Sequence, residues 1–335
     1  DDGSFLPGVP TSRRGALVMT AKPPVRILRE SEIRALIGPR EALGAVREGF
    51  IRLARGQVTL PGVIGLDIPE AQGEVHVKGA HIHGSKSFSI KEAAGFYGNA
   101  TRGLPVSSGV VLVFDAATGF LSAILLDNGY LTELRTGSAG ALAADLLAKR
   151  DVGTVGLLGA GGQARYQLEA LLEVRQPERV LVWSRTPARS EAYAEEMRAR
   201  FARSLTVVGS AREAVEAADL VITTTPSREP LVRAEWLRRG VHVTAMGSDG
   251  PDKRELESAV LARATKVVAD RRDQCLRLGE IHHAVAEGVI DSGRVHAELG
   301  EIAAGLRPGR ESDDEITVAD LTGVGVQDAA VADFV

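Results

Sequence analysis

The chain has 335 residues, 44% hydrophobic and 25% charged, with a formal net charge of −4 at pH 7. That length suffices for two domains and a substantial core, and the mildly acidic balance argues against nucleic acid or an acidic membrane as the main partner. Cys275 is the sole cysteine, which excludes an intrachain disulfide and a CxxC-type zinc site and fits a reducing cytoplasm; no apolar run approaches the ~18–20 residues of a membrane span.

Residues 1–22 are rich in Gly, Pro and polar residues without a signal-peptide core, and read as a flexible extension. Residues 25–28 form a short apolar strand. Residues 30–55 then repeat apolar side chains at helical spacing, with a break at Gly38-Pro39. From residue 58 to 126 the period becomes two. The segments 74–83 (EVHVKGAHIH) and 87–91 (SFSIK) alternate, and 107–114 and 119–126 flank a hairpin turn at 115–119. This region reads as mainly antiparallel sheet. A helix at 132–149 leads out of it.

Beyond residue 150 strands and helices alternate, as a parallel sheet requires. Strands are expected at 154–158, 180–183, 205–208, 220–225, 241–246 and 266–269, with helices beginning near 164, 187, 211 and 252. A further strand at 316–321 and a closing helix at 324–334 complete the pattern. The expected fold is α/β: a Rossmann doubly wound parallel sheet over 141–323, plus an antiparallel α+β substrate and dimerisation domain from 23–140 and 324–335.

The strand at 154–158 runs into Gly159-Ala160-Gly161-Gly162-Gln163-Ala164, the G-x-G-x-x-A form of the dinucleotide fingerprint. Gly159 suits the tight turn, Gly161 lets backbone approach a pyrophosphate, and Ala164 lets the helix pack closely. The next strand ends at Trp183-Ser184-Arg185-Thr186, followed by Arg189, with no carboxylate for a ribose 2′-hydroxyl. A guanidinium and two hydroxyls there favour NADP(H) over NAD(H).

Outside that motif Lys91, Arg135 and Asp249 stand out. Lys91 lies on the sheet face opposite Phe88 and Ile90. Arg135 begins a helix, and Asp249 follows a parallel strand, where loops face the ligand crevice. Singly they read as a solvated lysine, a helix-surface charge and a cap for the helix from Asp252. Together a cationic pair can hold an α-carboxylate while a carboxylate shuttles a proton.

LTELRTGSAGALAADLLA, GAGGQA, AMGSDGPDKREL and DLTGVGVQD, in this order, resemble the ornithine cyclodeaminase/mu-crystallin family. The stretch from GEVHVKGAHIHG to LLDNGYLTELRT is most similar to its ectoine-utilisation branch. The resemblance implies a homodimer paired through the N-terminal sheet, and an NAD(P)-dependent enzyme acting at a C–N bond. Its substrate would be a small L-amino acid or its imine. Net NADPH-dependent reduction of a ketimine or cyclic imine, alanine dehydrogenation, and dinucleotide-dependent binding without turnover also occur in the family. It further implies that Lys91 and Arg135 bind the substrate carboxylate and that Asp249 handles the proton. Thr322 and Gly323 would lie by the substrate; Thr225, Met246, Gly247 and Lys253 would lie by the cofactor.

Two departures bear on the substrate. The family often places an arginine near residues 60–67, but none occurs between Arg55 and Arg102, leaving Lys78 or Lys86 as replacements. Ornithine cyclodeaminases carry a glutamate near position 78, and a lysine there would repel a side-chain ammonium. A neutral or anionic tail is expected instead. His76, His81 and His83 lack the acidic partners of a metal site, and no metal is expected.

Overall fold

The computed structural model describes residues 22–201 and 204–335. The flexible extension expected at 1–22 therefore falls, apart from Lys22, outside the described residues. Strand β1 (Arg26–Arg29) leads into helices α1 (Glu30–Leu36) and α2 (Pro39–Ala54). The break between the helices is chemical. Pro39 can only open a helix, and Glu41 accepts the Gly38 N–H at 3.0 Å.

Strands β2 (Val58–Thr59), β3 (Ile64–Ile68), β4 (Gly73–Ile82), β5 (Ser87–Phe96), β6 (Ser107–Asp115) and β7 (Leu121–Leu126) follow. They form one sheet in the order β1-β7-β6-β5-β4-β2, with β3 also on β4. All its pairings are antiparallel except β1 on β7. Helix α3 (Tyr130–Leu147) then crosses to the second half of the molecule. It is buried along most of its length, which suits its Ala/Leu-rich composition.

The second half runs β8 (Thr154–Leu158), α4 (Gly162–Leu171), β9 (Arg179–Trp183), α5 (Pro187–Phe201), β10 (Ser204–Val207), α6 (Ala211–Ala217), β11 (Leu220–Thr223) and β12 (His242–Ala245). It continues through α7 (Ser258–Arg263), β13 (Lys266–Ala269), α8 (Arg272–Cys275), α9 (Gly279–Ala286), β14 (Val295–Glu298), α10 (Leu299–Ala303), β15 (Thr317–Asp320) and α11 (Gly325–Phe334). The fold is thus α/β, with an eight-stranded parallel sheet in the order β10-β9-β8-β11-β12-β15-β13-β14. The order reverses between β8 and β11, the place where such sheets open a ligand crevice.

Helix α11 returns to pack on β4, β5 and α2. The core around α2, α3 and α11 also takes in Val268, Ala319 and Leu321, so the two sheets share it. Among the described residues no helix is long and apolar enough to cross a membrane.

The helix expected from Asp252 does not form. Its backbone groups are committed elsewhere: Arg254 N–H donates to Ser227 O at 2.6 Å, and the N–H groups of Glu255 and Leu256 donate to the Glu280 carboxylate at 2.7 and 3.0 Å. The helix starts instead at Ser258, so Asp249 has no helix to cap. Elements α8, α9, α10 and β14 were not anticipated; at four to eight residues each, they are too short to show a period.

Candidate active site

A cavity of about 650 Å³ lies between the carboxyl ends of the parallel strands and one face of β4 and β5. The first N–H groups of α4 have no partner within the helix, and Gly161, Gly162 and Gln163 all line the cavity. Gly159 holds a φ of +116°, and a Cβ there would collide with the Thr224 hydroxyl. A Cβ on Gly161 would meet nothing within 4 Å, which leaves space for a phosphate against the backbone. The donors and the open turn fit a dinucleotide.

Ala164 is fully buried, and its carbonyl accepts the Tyr193 hydroxyl at 3.0 Å. The Gln163 amide donates to Glu133 O at 3.2 Å. Thr225, Met246, Gly247 and Lys253 line the cavity. One buried carboxylate ties their loops together. Glu255 accepts from the Thr223 hydroxyl (2.6 Å), from Thr225 N–H and hydroxyl (2.6 and 2.7 Å), and from Gly247 N–H (2.8 Å). Burial pushes its pKa up, against those hydrogen bonds.

Arg189 also lines the cavity. Arg185 and Thr186 are exposed at the end of β9, outside the lining. The Ser184 hydroxyl donates to Thr186 O at 3.0 Å and lies 2.8 Å from the Ser190 hydroxyl.

The opposite wall is built from side chains. Register pairs Lys78 of β4 with Lys91 of β5, and both point into the cavity beside Arg135 of α3. All three are buried. Asp328 of α11 takes Lys91 Nζ at 3.1 Å and Arg135 Nε at 2.9 Å, while Gln327 accepts from Arg135 Nη1 at 3.1 Å. Burial would raise the Asp328 pKa, but Arg135, Lys91 and Lys78 outweigh it and hold the carboxyl low. Burial lowers Lys91 to about 7, against the pull of Asp328. Lys78, also lowered by burial and by Arg135, donates to Gly323 O at 2.8 Å. Gln274 donates to the same carbonyl and to the Thr322 hydroxyl, each at 2.8 Å. Thr322 and Gly323 complete this end of the lining. Lys86, the other candidate for the missing arginine, is exposed and lies outside it.

Asp249 closes the cavity from the loop after β12. Its side chain is 41% exposed and lines the cavity. Lys253 Nζ sits 2.7 Å from Asp249, 3.0 Å from Glu74 and 3.1 Å from the Tyr97 hydroxyl, which donates to Glu74 at 2.8 Å. Lys253 thus links the parallel half to β4 and the segment after β5. Burial would raise the Asp249 pKa, but Lys253 overrides it and keeps the group ionised. Lys253 is raised in turn, with Asp249 and Tyr97 outweighing its burial.

His81 Nδ1 lies 3.1 Å from Ser87 O, and His83 Nε2 lies 2.9 Å from the Thr59 hydroxyl. Among the described residues no group of three or more His, Cys, Asp or Glu is arranged to hold a metal.

The arrangement brings Lys78, Lys91, Arg135, Asp249, Thr322 and Gly323 to one cavity with the glycine turn. Sequence reasoning missed Asp328, Glu255, Glu280 and Glu74. Asp328 had a signal in being the sole charge of GVGVQDAAVA, an otherwise apolar helix stretch.

The model of the ornithine cyclodeaminase/mu-crystallin family matches residues 25–335. Three solved structures share the fold. The Thermococcus litoralis Delta(1)-pyrroline-2-carboxylate reductase, in complex with NADH and L-proline, is 34% identical. The alignment covers 92% of this chain and 95% of that one, with a TM-score of 0.88. An archaeal alanine dehydrogenase dimer with bound NAD is 38% identical, with 92% and 94% covered and a TM-score of 0.86. A lysine cyclodeaminase that recognises L-lysine, L-ornithine and L-2,4-diaminobutyric acid is 31% identical, with 92% and 91% covered and a TM-score of 0.82.

Proposed function

The chain belongs to the ornithine cyclodeaminase/mu-crystallin family, and from that membership and the cavity we propose an NAD(P)-dependent enzyme acting at the C–N bond of a small L-amino acid or its imine. The observation that carries this reading is the set of buried cations, Lys78, Lys91 and Arg135, facing the glycine turn and Asp249 across one cavity. The cations grip the substrate α-carboxylate, with Arg135 offering its planar fork and the lysines point charges. Asp249, kept ionised by Lys253, faces the nitrogen and offsets its positive charge while the proton moves. A bound dinucleotide supplies the hydride chemistry. Gly159, Gly161, Gly162, Gln163 and Ala164 would form the turn that holds it, and Thr225, Met246, Gly247 and Lys253 would lie beside it.

Within this reading, residues 141–323 serve the dinucleotide, and 23–140 with 324–335 serve the substrate and dimerisation. One outward row of the antiparallel sheet supports the homodimer. Ile27, Ile64, Leu66 and Ile90 share the face away from Lys91 and are 59%, 60%, 58% and 39% exposed. Arg185 and Arg189 favour NADP(H), through a 2′-phosphate at the end of β9.

Lys78 favours net reduction of a ketimine or cyclic imine over ornithine cyclodeamination. Its ammonium adds a third positive charge to the wall that meets the substrate, which repels the distal ammonium of a diamino acid, and a substrate of the ectoine-utilisation branch would meet the same wall. The test is a panel of diamino acids, 2-oxo acids with ammonia, and cyclic imines, with NAD(P)H absorbance and ammonia release followed together. Stoichiometric NADPH consumption supports reduction. Ammonia release with catalytic cofactor supports cyclodeamination, and activity on no substrate of the panel would leave only binding.

A further inference from the structure

The one histidine that lines the cavity has no role in the arrangement above. His76 lies on β4 midway between Lys78 and Glu74, on the same face, and lines the cavity. Lys78, Lys91, Arg135, Asp249, Lys253 and Tyr97 each hold a hydrogen bond or ion pair within the protein. Among the described residues neither ring nitrogen of His76 has a hydrogen-bond partner. The flanking strands offer the ring no polar side chain, since β3 has Gly65 and β5 has Ala93 at that register.

We propose that His76 is a catalytic residue that takes and returns the proton of the substrate's α-nitrogen, with Asp249 as the fixed negative charge beside it. This rests on the carboxylate being held as proposed above. The argument is one of reach. An α-nitrogen lies two bonds from the carboxyl carbon. Two residues along a strand span about 6.6 Å, so the group next along β4 from Lys78 is His76. Asp249 faces it from the other lobe, close enough that each shifts the other's titration.

Asp249, tied to Lys253, suits an iminium as counter-charge but donates a proton poorly at neutral pH. An imidazole with free nitrogens supplies the carrier. The groups facing it are Lys78 and Glu74 on its own strand and Asp249 and Lys253 from the loop after β12. Burial, then Lys78, lowers the imidazole below its ordinary value, with Asp249 opposing. In amino-acid oxidation an N–H bond of the α-ammonium breaks. The nitrogen keeps the electron pair, and the proton forms a new N–H bond on the imidazole. In imine reduction the imidazolium returns that proton to the product amine.

The test uses the dinucleotide-loaded enzyme with L-alanine, L-proline, L-ornithine and L-lysine, comparing wild type with His76→Gln, His76→Asn and Asp249→Asn. Cofactor fluorescence and thermal unfolding check that each variant folds. For either His76 variant kcat is expected to fall roughly tenfold to a hundredfold with KM within about threefold. The wild-type decline of the oxidation rate at acid pH should vanish with it. A readout free of turnover is the His76 imidazole resonance, assigned by its loss in His76→Gln. Its titration midpoint should move when the amino acid binds. A fall confined to KM, an unchanged acid limb, or an unmoved resonance overturns the proposal. Wild-type enzyme that oxidises none of these amino acids, and reduces none of the matching 2-oxo acids with ammonia, would instead sink the reading on which it rests.

Discussion

The two walls of the cavity recognise by different means. On the parallel-sheet side, Asp249, Lys253 and Arg189 apart, the contacts offered are largely backbone: the turn at Gly159 to Gly162, the start of α4, and the loops that Glu255 fixes through Thr225 and Gly247. On the antiparallel side they are charged side chains from β4, β5 and α3, held by Asp328 of α11. A backbone cradle tolerates sequence change around it and suits a constant cofactor. A wall of buried charge is costly to assemble, and each group in it discriminates. Substitutions on the substrate wall should therefore cost far more than substitutions at the cofactor's edge.

Arg135 offers the sharpest break. Arg135→Met removes a guanidinium from the proposed substrate grip and leaves Asp328 with Lys91 as its partner. Truncating one member of a buried charged pair costs about 2–5 kcal/mol, so kcat/KM should drop at least ~30-fold. Arg135→Lys keeps the charge without the fork and should fall between that variant and wild type. Cofactor affinity, followed by fluorescence, should stay within about twofold, since the turn's contacts are backbone. Equal losses for substrate and cofactor would erase the distinction between the walls.

The wall's charge can also be titrated. Lys91 has a pKa near 7 in the folded chain, well below the ordinary lysine value. As pH rises through 7 the ammonium loses its proton and the carboxylate grip weakens. KM for a 2-oxo acid, ionised throughout, should therefore rise between pH 7 and 9, by up to about tenfold per unit. Stability moves the other way. Between about pH 7 and the ordinary lysine pKa the unfolded chain binds the proton that the folded chain has released, so this group's contribution favours folding more as pH rises. Parallel KM and melting measurements separate the two trends. A flat KM would mean that Lys91 does not touch the carboxylate.

The two walls differed in legibility for the same reason that they differ in recognition. The glycine turn is local: its residues are consecutive, and the backbone they need is written in their own small side chains. The parallel strands apart from β14, and most helix starts, showed in the same way. The charged wall is assembled from afar. The Arg135–Asp328 contact joins residues 193 apart, and Lys253–Glu74 joins residues 179 apart. Lys91 and Arg135 stood out by type and neighbourhood, yet their shared partner Asp328 did not, because nothing near it in the chain announces what faces it. The false helix at Asp252 failed likewise: its N–H groups were captured by Glu280, which no local pattern could foretell.

The smallest expected effect lies at the cofactor's edge. Arg185 is exposed, and the phosphate it would meet is in solvent reach, so its contribution is screened. Exposed ion pairs contribute up to about 1 kcal/mol. Arg185→Ser should accordingly raise KM for NADPH by no more than about fivefold and leave KM for NADH unchanged. Arg185→Asp should go further, because a carboxylate repels the 2′-phosphate and accepts from the 2′-hydroxyl, shifting preference towards NADH. Melting temperature should not move in either variant. A wild-type enzyme with a clear NADH preference would overturn the NADP(H) assignment while leaving the substrate wall as it stands, because none of Lys78, Lys91 and Arg135 depends on which dinucleotide the turn receives.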